Sequence, residues 1–239
     1  RRGRPRQWPL GVGHRHRALG PGLRLMNWAW ENRSYLGDLL GDHAVLAFIP
    51  LAIGVLLALP LGVLVARSPG SRFTVLGLCA FLQAIPALTF FVVFPALLDT
   101  KLDDRINVVV GLTLLVLALM TRTIGEAVMA VPGPVRLSAD SMGMTGFART
   151  TRVDLPVALP AIIGGLRTAA VTCITLATAS AVVGVRGLGT LFTEGYETGF
   201  ETEVLVGVAL VGLVALGADV LLVRGAKLFA PWSRLVPIR

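Results

Sequence analysis

Long apolar runs, each about as long as a bilayer is thick, decide what this chain can fold into. Residues 43–66 read HAVLAFIPLAIGVLLALPLGVLVA, with Arg67 directly after them. Runs of the same character cover 73–98, 106–121, 157–183 and 203–223. Crossing the hydrocarbon core as a helix takes about 20 residues. In lipid each backbone N–H and C=O must be satisfied within its own segment, so such runs form helices. A membrane barrel would instead need short segments of alternating character. Composition agrees: 54% of the residues are hydrophobic and 15% charged, against about 25% charged in a soluble domain. The expected fold class is all-α and polytopic, with about five transmembrane helices.

The formal net charge of +8 raises the question of a nucleic-acid partner, and the placement of the charge answers it. Residues 1–25 contain seven arginines (Arg1, Arg2, Arg4, Arg6, Arg15, Arg17, Arg24) and no acid. The remaining 15 basic and 14 acidic side chains nearly balance. No nucleic-acid partner is therefore expected. The expected organisation is an N-terminal segment over 1–42, a membrane domain over 43–223 and a tail over 224–239. Residues 1–25, rich in Gly, Pro and Arg without apolar periodicity, are expected to be disordered or untranslated.

Lys and Arg favour the cytoplasmic side of a membrane protein. Ten of them fall in three regions on one side: Arg67 and Arg72; Arg122, Arg136, Arg149 and Arg152; and Arg224, Lys227, Arg234 and Arg239. The opposite side has four, Arg33, Lys101, Arg105 and Arg186. The loop 122–156 and the C-terminus are thus expected in the cytoplasm of a bacterium and the N-terminus outside. Counting residues 1–25 abolishes the asymmetry, which points to Met26 as the start.

Catalytic and metal chemistry find little to work with. Cys79 and Cys173 lie inside apolar runs and read as small packing residues. His14, His16 and His43 have no metal-ligand spacing. No spaced carboxylates or activated serine occur within the spans, so neither an enzyme nor a cofactor is expected.

Two features point to movement of a solute. Pro86 and Pro95 interrupt the second run beside Gln83, Pro50 and Pro60 lie in the first, and Pro160 follows Pro156 in the fourth. Proline removes a backbone donor, a defect tolerated in lipid only beside other helices or a wet cavity. The second feature is the polar stretch between the third and fourth runs, too long for a simple connection. It reads as two short helices, about 134–142 and 146–152, hinged at Gly143 or Gly146, a shape suited to docking into a groove of a soluble partner.

That stretch resembles the coupling motif of binding-protein-dependent ABC importer permeases. The motif is Glu-Ala-Ala, three residues, Gly, nine residues, a β-branched aliphatic, any residue, then Leu-Pro. Here Gly143 is followed at the right distance by Val153, Leu155 and Pro156, while Leu137, Ser138 and Ala139 stand at the Glu-Ala-Ala positions. Further stretches, in order, resemble the osmoprotectant (glycine betaine, choline, carnitine) permeases of that class: LQAIPAL at 82–88, SMGMT at 141–145, GGLRTAAV at 164–171, GVRGLG at 184–189 and the Ala218–Asp219 pair. The resemblance implies a permease subunit that pairs with a second permease chain, identical or homologous. It also implies an ATPase subunit docked on each loop, two copies per complex, and an extracytoplasmic substrate-binding protein. No phosphate-binding Gly-x-x-x-x-Gly-Lys-Ser/Thr loop is present, so ATP hydrolysis belongs to the separate subunit. Leucine at position 137 cannot make the ion pair open to a glutamate. Either the groove contact is apolar, or a nonidentical second permease carries the standard motif.

Gln83, Pro86, Arg167 and Asp219 are the candidates for the translocation path. Counted along straight helices, Arg167 falls near mid-depth and Asp219 only about four residues from the inner end, so the two are not expected to meet; Arg224 is the alternative partner of Asp219. Phe81, Phe90, Phe91 and Phe94 could face a cationic solute, although lipid is the expected surrounding of most. The small-residue face Gly165, Ala169, Cys173, Ala177, Ala181 suits close helix approach in the bundle interior or at a dimer seam. Competing readings are an ABC permease for an amino acid or a metal, and a transporter driven by an ion gradient.

Overall fold

The structure, a computed structural model, describes residues 21–229. Helix α1 spans Pro21–Glu31, and α2, Arg33–Arg67, is one unbroken helix of 35 residues. Then follow α3, Pro69–Ala84, α4, Ala87–Leu98, and α5, Arg105–Met129. Two short helices, α6 at Gly133–Ser141 and α7 at Gly146–Arg149, lead through a π-helical turn, Thr150–Asp154, into α8, Leu155–Ala179. A 3-10 turn over Ser180–Val183 precedes α9, Thr190–Thr198, and α10, Glu201–Phe229. Four helical segments are long and apolar enough to cross a membrane, and the bent α3–α4 pair makes a fifth if taken as one span.

The second run differs from a straight helix. α3 and α4 meet at 99°, with Ile85 and Pro86 extended between them. Pro86 cannot donate to the preceding turn and pushes the residue before it out of helical space. Pro50 and Pro60, by contrast, sit inside continuous α2, which is braced along its length by α5.

That α2–α5 seam is the spine of the bundle. Gly54, Ala58 and Gly62 recur every four residues on one face of α2, and all are buried. A Cβ at Gly54 would lie 2.6 Å from Val116 Cγ1, and one at Gly62 would lie 2.6 Å from Ile124 Cβ. Only glycine lets the helices close to this distance, where van der Waals contact substitutes for a hydrophobic force that lipid does not supply. The expected small-residue face of α8 serves the same end inside the bundle. Ala169, Cys173 and Ala177 are buried, Gly165 abuts Thr123, and Cys173 Sγ lies 3.1 Å from the Ala47 carbonyl oxygen.

Several boundaries move outward from the expected ones. α2 begins ten residues before position 43, because Leu36, Leu39 and His43 continue its buried face while Asp38 and Asp42 lower the apolar signal. α5 runs past 121 to Met129, so part of the expected loop belongs to the third span. Residues 21–25, expected in a disordered extension, lie in α1. The helix is held by Trp28, 3% exposed, whose ring packs 5.9 Å from that of Phe200. Residues 1–20, with most of the arginine-rich extension, and 230–239, with Arg234 and Arg239, lie outside the described residues. Of the four phenylalanines, most of them expected to face lipid, Phe90 and Phe91 are buried, with Gly111 of α5 close to both side chains. Phe81 is exposed. Cys79 and Cys173 are both free and buried, and His43 is buried as well. Among the described residues no three His, Cys, Asp or Glu side chains gather as a metal site.

Candidate functional site

At one end of the bundle, α6 and α7 form the helix-turn-helix expected from the sequence, and Gly143 is its hinge. Gly143 has φ of 72°, a left-handed conformation that costs other residues about 1–2 kcal/mol. Across it the Met144 N–H donates to the Ala139 carbonyl at 3.3 Å, closing the helix end in the manner of a Schellman cap. The Thr145 hydroxyl oxygen then accepts from the Ala148 N–H at 3.3 Å and starts α7. Gly146, the other expected hinge, is the first residue of α7.

Charged side chains lock this unit from within. Asp154, 3% exposed, accepts from Arg136 Nε at 3.3 Å and from the Thr150 hydroxyl at 3.4 Å. The oxygen that accepts from Thr150, Oδ2, also lies 3.6 Å from Arg149 Nε, an ionic contact. Arg149 Nη1 also donates to both carboxylate oxygens of Asp140 at 2.8 Å each. Two arginines tie the unit to the spans: Arg136 Nη2 reaches out and donates to the Val128 carbonyl of α5, and Arg67 Nη2 reaches in from α2 and donates to the Gly146 carbonyl. The unit is therefore bonded to α2 and α5 and runs through the π turn into α8.

The π turn has a local cause. Pro156 has no N–H, and its ring needs room one turn back. The backbone widens there, and the Leu155 N–H reaches five residues back to the Thr150 carbonyl. Val153, Leu155 and Pro156 are half-buried at this root. Ala139 is buried beneath α6, and Ser138 is exposed, its hydroxyl donating to the Pro134 carbonyl at 2.9 Å. Leu137, Met142 and Phe147 point outward, with 67%, 68% and 74% exposure. This surface is thus apolar where its interior is ionic. Spacing located the hinge and the root; it missed Asp154, Arg136, Arg149, Asp140 and Arg67, whose pairing is visible only once the turn brings them together. The one available signal was an aspartate between Val153 and Leu155, at a position the motif leaves free.

The membrane candidates sort into two groups. Gln83 and Pro86 stand exposed at the α3–α4 break, and Gln83 Nε2 donates to the Cys79 carbonyl at 3.3 Å. Arg167 and Asp219, not expected to meet, form a two-pronged ion pair. Nε to Oδ1 is 2.6 Å and Nη2 to Oδ2 is 2.9 Å. The depth mismatch disappears because α8 starts at Leu155 and α10 continues to Phe229. Arg167 is then twelve residues and Asp219 ten residues from the same end of the bundle, roughly 18 and 15 Å along the helices. Arg224 is not the partner. No hydrogen bond or ion pair among the described residues joins the two groups, since α3 and α4 pack chiefly on α5 while α10 packs on α8 and α9.

The chain is similar to known proteins over most of its length. The family described as binding-protein-dependent transport system inner membrane component matches residues 58–235. The osmoprotectant import permease protein OsmW of Salmonella typhimurium is 30% identical over 210 residues, covering 86% of this chain and 97% of that protein. The choline transport system permease protein OpuBD of Bacillus subtilis is 28% identical over 209 residues, covering 87% and 91%. Among solved structures, an inward-facing form of the MetNI methionine ABC transporter superposes with a TM-score of 0.69 at 21% identity, over 80% of this chain and 96% of that one. An amino acid ABC transporter crystallised with histidines gives 0.66 at 17% identity, over 86% and 96%. These two likenesses describe the fold.

Proposed function

The chain belongs to the family of binding-protein-dependent transport inner-membrane components, and on that premise we propose that it is the permease of an importer for a quaternary-ammonium solute such as glycine betaine, choline or carnitine. As a member of that family it is a multi-pass membrane transport subunit and not itself an enzyme. The single observation that carries the mechanism is the helix-turn-helix wired to three membrane helices: through Arg67 to α2, through Arg136 to α5, and directly into α8. The solute class is supported by relatives named for osmoprotectants, choline and carnitine.

In this reading the loop end and the C-terminus are cytoplasmic and the α1 end is outside, as the Lys and Arg distribution favours. A separate ATPase, two copies per complex, seats Leu137, Met142 and Phe147 in a groove. Its closure on ATP tilts the lever about Gly143, and the rooted helices follow. An extracytoplasmic binding protein hands over the solute. A second permease chain supplies the other half of the path, so that Gln83 and Pro86 of one chain and the Arg167–Asp219 pair need not meet within a single subunit.

Reconstitution of the full assembly in proteoliposomes tests this. Uptake of radiolabelled glycine betaine, choline or carnitine is expected only with both ATP and the binding protein present. Gly143→Val is expected to lower uptake about tenfold, equivalent to ~1.4 kcal/mol, while ATP hydrolysis continues. Uptake that survives without ATP defeats the mechanism. ATP-driven uptake of an amino acid, with none of the three solutes carried, moves the solute assignment alone.

A further inference from the structure

At the end of the bundle opposite the helix-turn-helix, α9 and α10 share a hollow that the transport mechanism does not use. Phe192, Gly195 and Tyr196 of α9 and Glu201, Val204 and Leu205 of α10 line an open cavity of about 640 Å³. That size falls in the range of about 300–1,000 Å³ usual for small-molecule sites. The backbone fixes its shape. A Cβ at Gly195 would lie 2.6 Å from Val204 Cγ2, so α9 and α10 approach to a distance that only glycine permits. The Phe200 N–H donates to the Gly195 carbonyl at 2.9 Å, and Gly199, with φ of 66°, turns the chain between the helices. Phe192 and Tyr196, four residues apart, share one face of α9. The Phe192 ring is held against α10, where a Cβ at Gly207 would lie 3.2 Å from its Cε1. Tyr196 is 87% exposed.

We infer that this cavity binds the trimethylammonium group of a free solute, at a site apart from the path candidates Gln83, Pro86, Arg167 and Asp219. The inference rests on the quaternary-ammonium reading for the class of solute at hand, and the orientation in that reading puts this end outside the cell, where free solute is met. Charge favours a cation. Residues 187–218 contain four glutamates, Glu194, Glu197, Glu201 and Glu203, and no Lys or Arg, so the local field is negative. The lining selects which cation. Aromatic faces attract a cation within about 6 Å of the ring centre, and Val204 and Leu205 suit a shell of methyl groups. A primary ammonium is strongly hydrated and carries three donors, yet the cavity offers it one carboxylate, that of Glu201. A quaternary nitrogen has no N–H to satisfy. The two polar groups of the site are also uncommitted: among the described residues neither the Tyr196 nor the Glu201 side chain has a hydrogen bond or an ion pair. Glu194, by contrast, already accepts from the Tyr35 hydroxyl at 2.7 Å.

Saturation-transfer NMR on the full-length permease in a nonionic maltoside detergent, free of choline lipids, tests the site with tetramethylammonium as the probe. Transfer to the methyl protons of the probe is expected in wild type. Affinity should fall about fivefold in Tyr196→Ala, and about as much in Glu201→Gln, while Tyr196→Phe, which keeps the ring, binds as wild type does. Both side chains are exposed, so all three variants are expected to fold. Choline should bind at least about fivefold more tightly than its uncharged carbon isostere, in which a tert-butyl group replaces the trimethylammonium. Absence of transfer overturns the proposal and leaves the groove to a lipid tail or a partner chain. Equal binding of choline and its isostere, or affinity unmoved by both Tyr196→Ala and Glu201→Gln, overturns it as well. So does loss of probe binding when phosphatidylcholine is added to the micelles, which would make a lipid headgroup the occupant. The assay contains neither ATP nor binding protein. Probe binding without ATP-driven uptake therefore counts against the transport reading alone, and uptake without probe binding counts against this site alone.

Discussion

The two ends of the bundle are built in opposite senses. At the helix-turn-helix end, Asp154, Arg136, Arg149 and Asp140 turn inward and bond to each other, while Leu137, Met142 and Phe147 face out. At the other end the interior is apolar, with Trp28, Leu39, Leu188 and Leu191 buried, and Glu194, Glu197 and Glu201 face out beside Met26, Trp30 and Tyr196. The second interior is the ordinary one, apolar side chains packed together. The first interior is ionic, and Leu137, Met142 and Phe147 lie uncovered over it, as the proposed ATPase-docking face requires. An ionic interior also holds a small unit in one shape, with no apolar core of its own large enough to do so. A stiff unit with a sticky face can transmit a push, which is what the proposed lever requires.

Breaking the ionic interior should have the largest effect. Asp154→Ala leaves two mostly buried arginines without their shared carboxylate, at a cost of about 3 kcal/mol. The unit should then loosen, with a lower melting temperature in detergent and loss of ATPase association. Next comes the α2–α5 seam, which both ends share. Gly62→Val forces a side chain into Ile124 and should cost about 2 kcal/mol by overpacking, again read by thermal unfolding. Unlike Asp154→Ala, it should leave ATPase binding intact in the molecules that fold. The mid-membrane pair sits between the two ends. Asp219→Ala is expected to reduce uptake about tenfold, and exchanging the charges, Arg167→Asp with Asp219→Arg, should recover most of it if the pair serves as a tie between α8 and α10. The smallest effect sharpens the contrast most. Leu137→Glu restores the family residue on the outward face, and in an apolar groove it should weaken ATPase binding about fivefold, or ~1 kcal/mol. Tighter binding would mean the groove is basic there.

How much of this could be read from the residues follows the range of the interactions. Runs, breaks and hinge are local, so the five spans, the interruption at Pro86 and the turn at Gly143 were all visible in sequence. Helix ends were less legible. α2, α5 and α10 continue past the apolar runs on faces where polar residues alternate with buried ones, and miscounting those ends hid the Arg167–Asp219 pair. The lock around Asp154 was illegible for another reason. Arg136 and Asp154 are 18 positions apart, and they meet only because Gly143 reverses the chain between them. Likewise nothing local brings Tyr35 of α2 to Glu194 of α9, which its hydroxyl donates to at 2.7 Å.

The most direct test of the lever is the affinity between the purified permease and its ATPase, measured for wild type and for Leu137→Asp with Phe147→Asp. The outward apolar face predicts binding at least about a hundredfold weaker in the double variant, ~2.7 kcal/mol, with the melting temperature of the permease unchanged. Equal affinity would contradict it, because the motor would then be gripping some other part of the molecule.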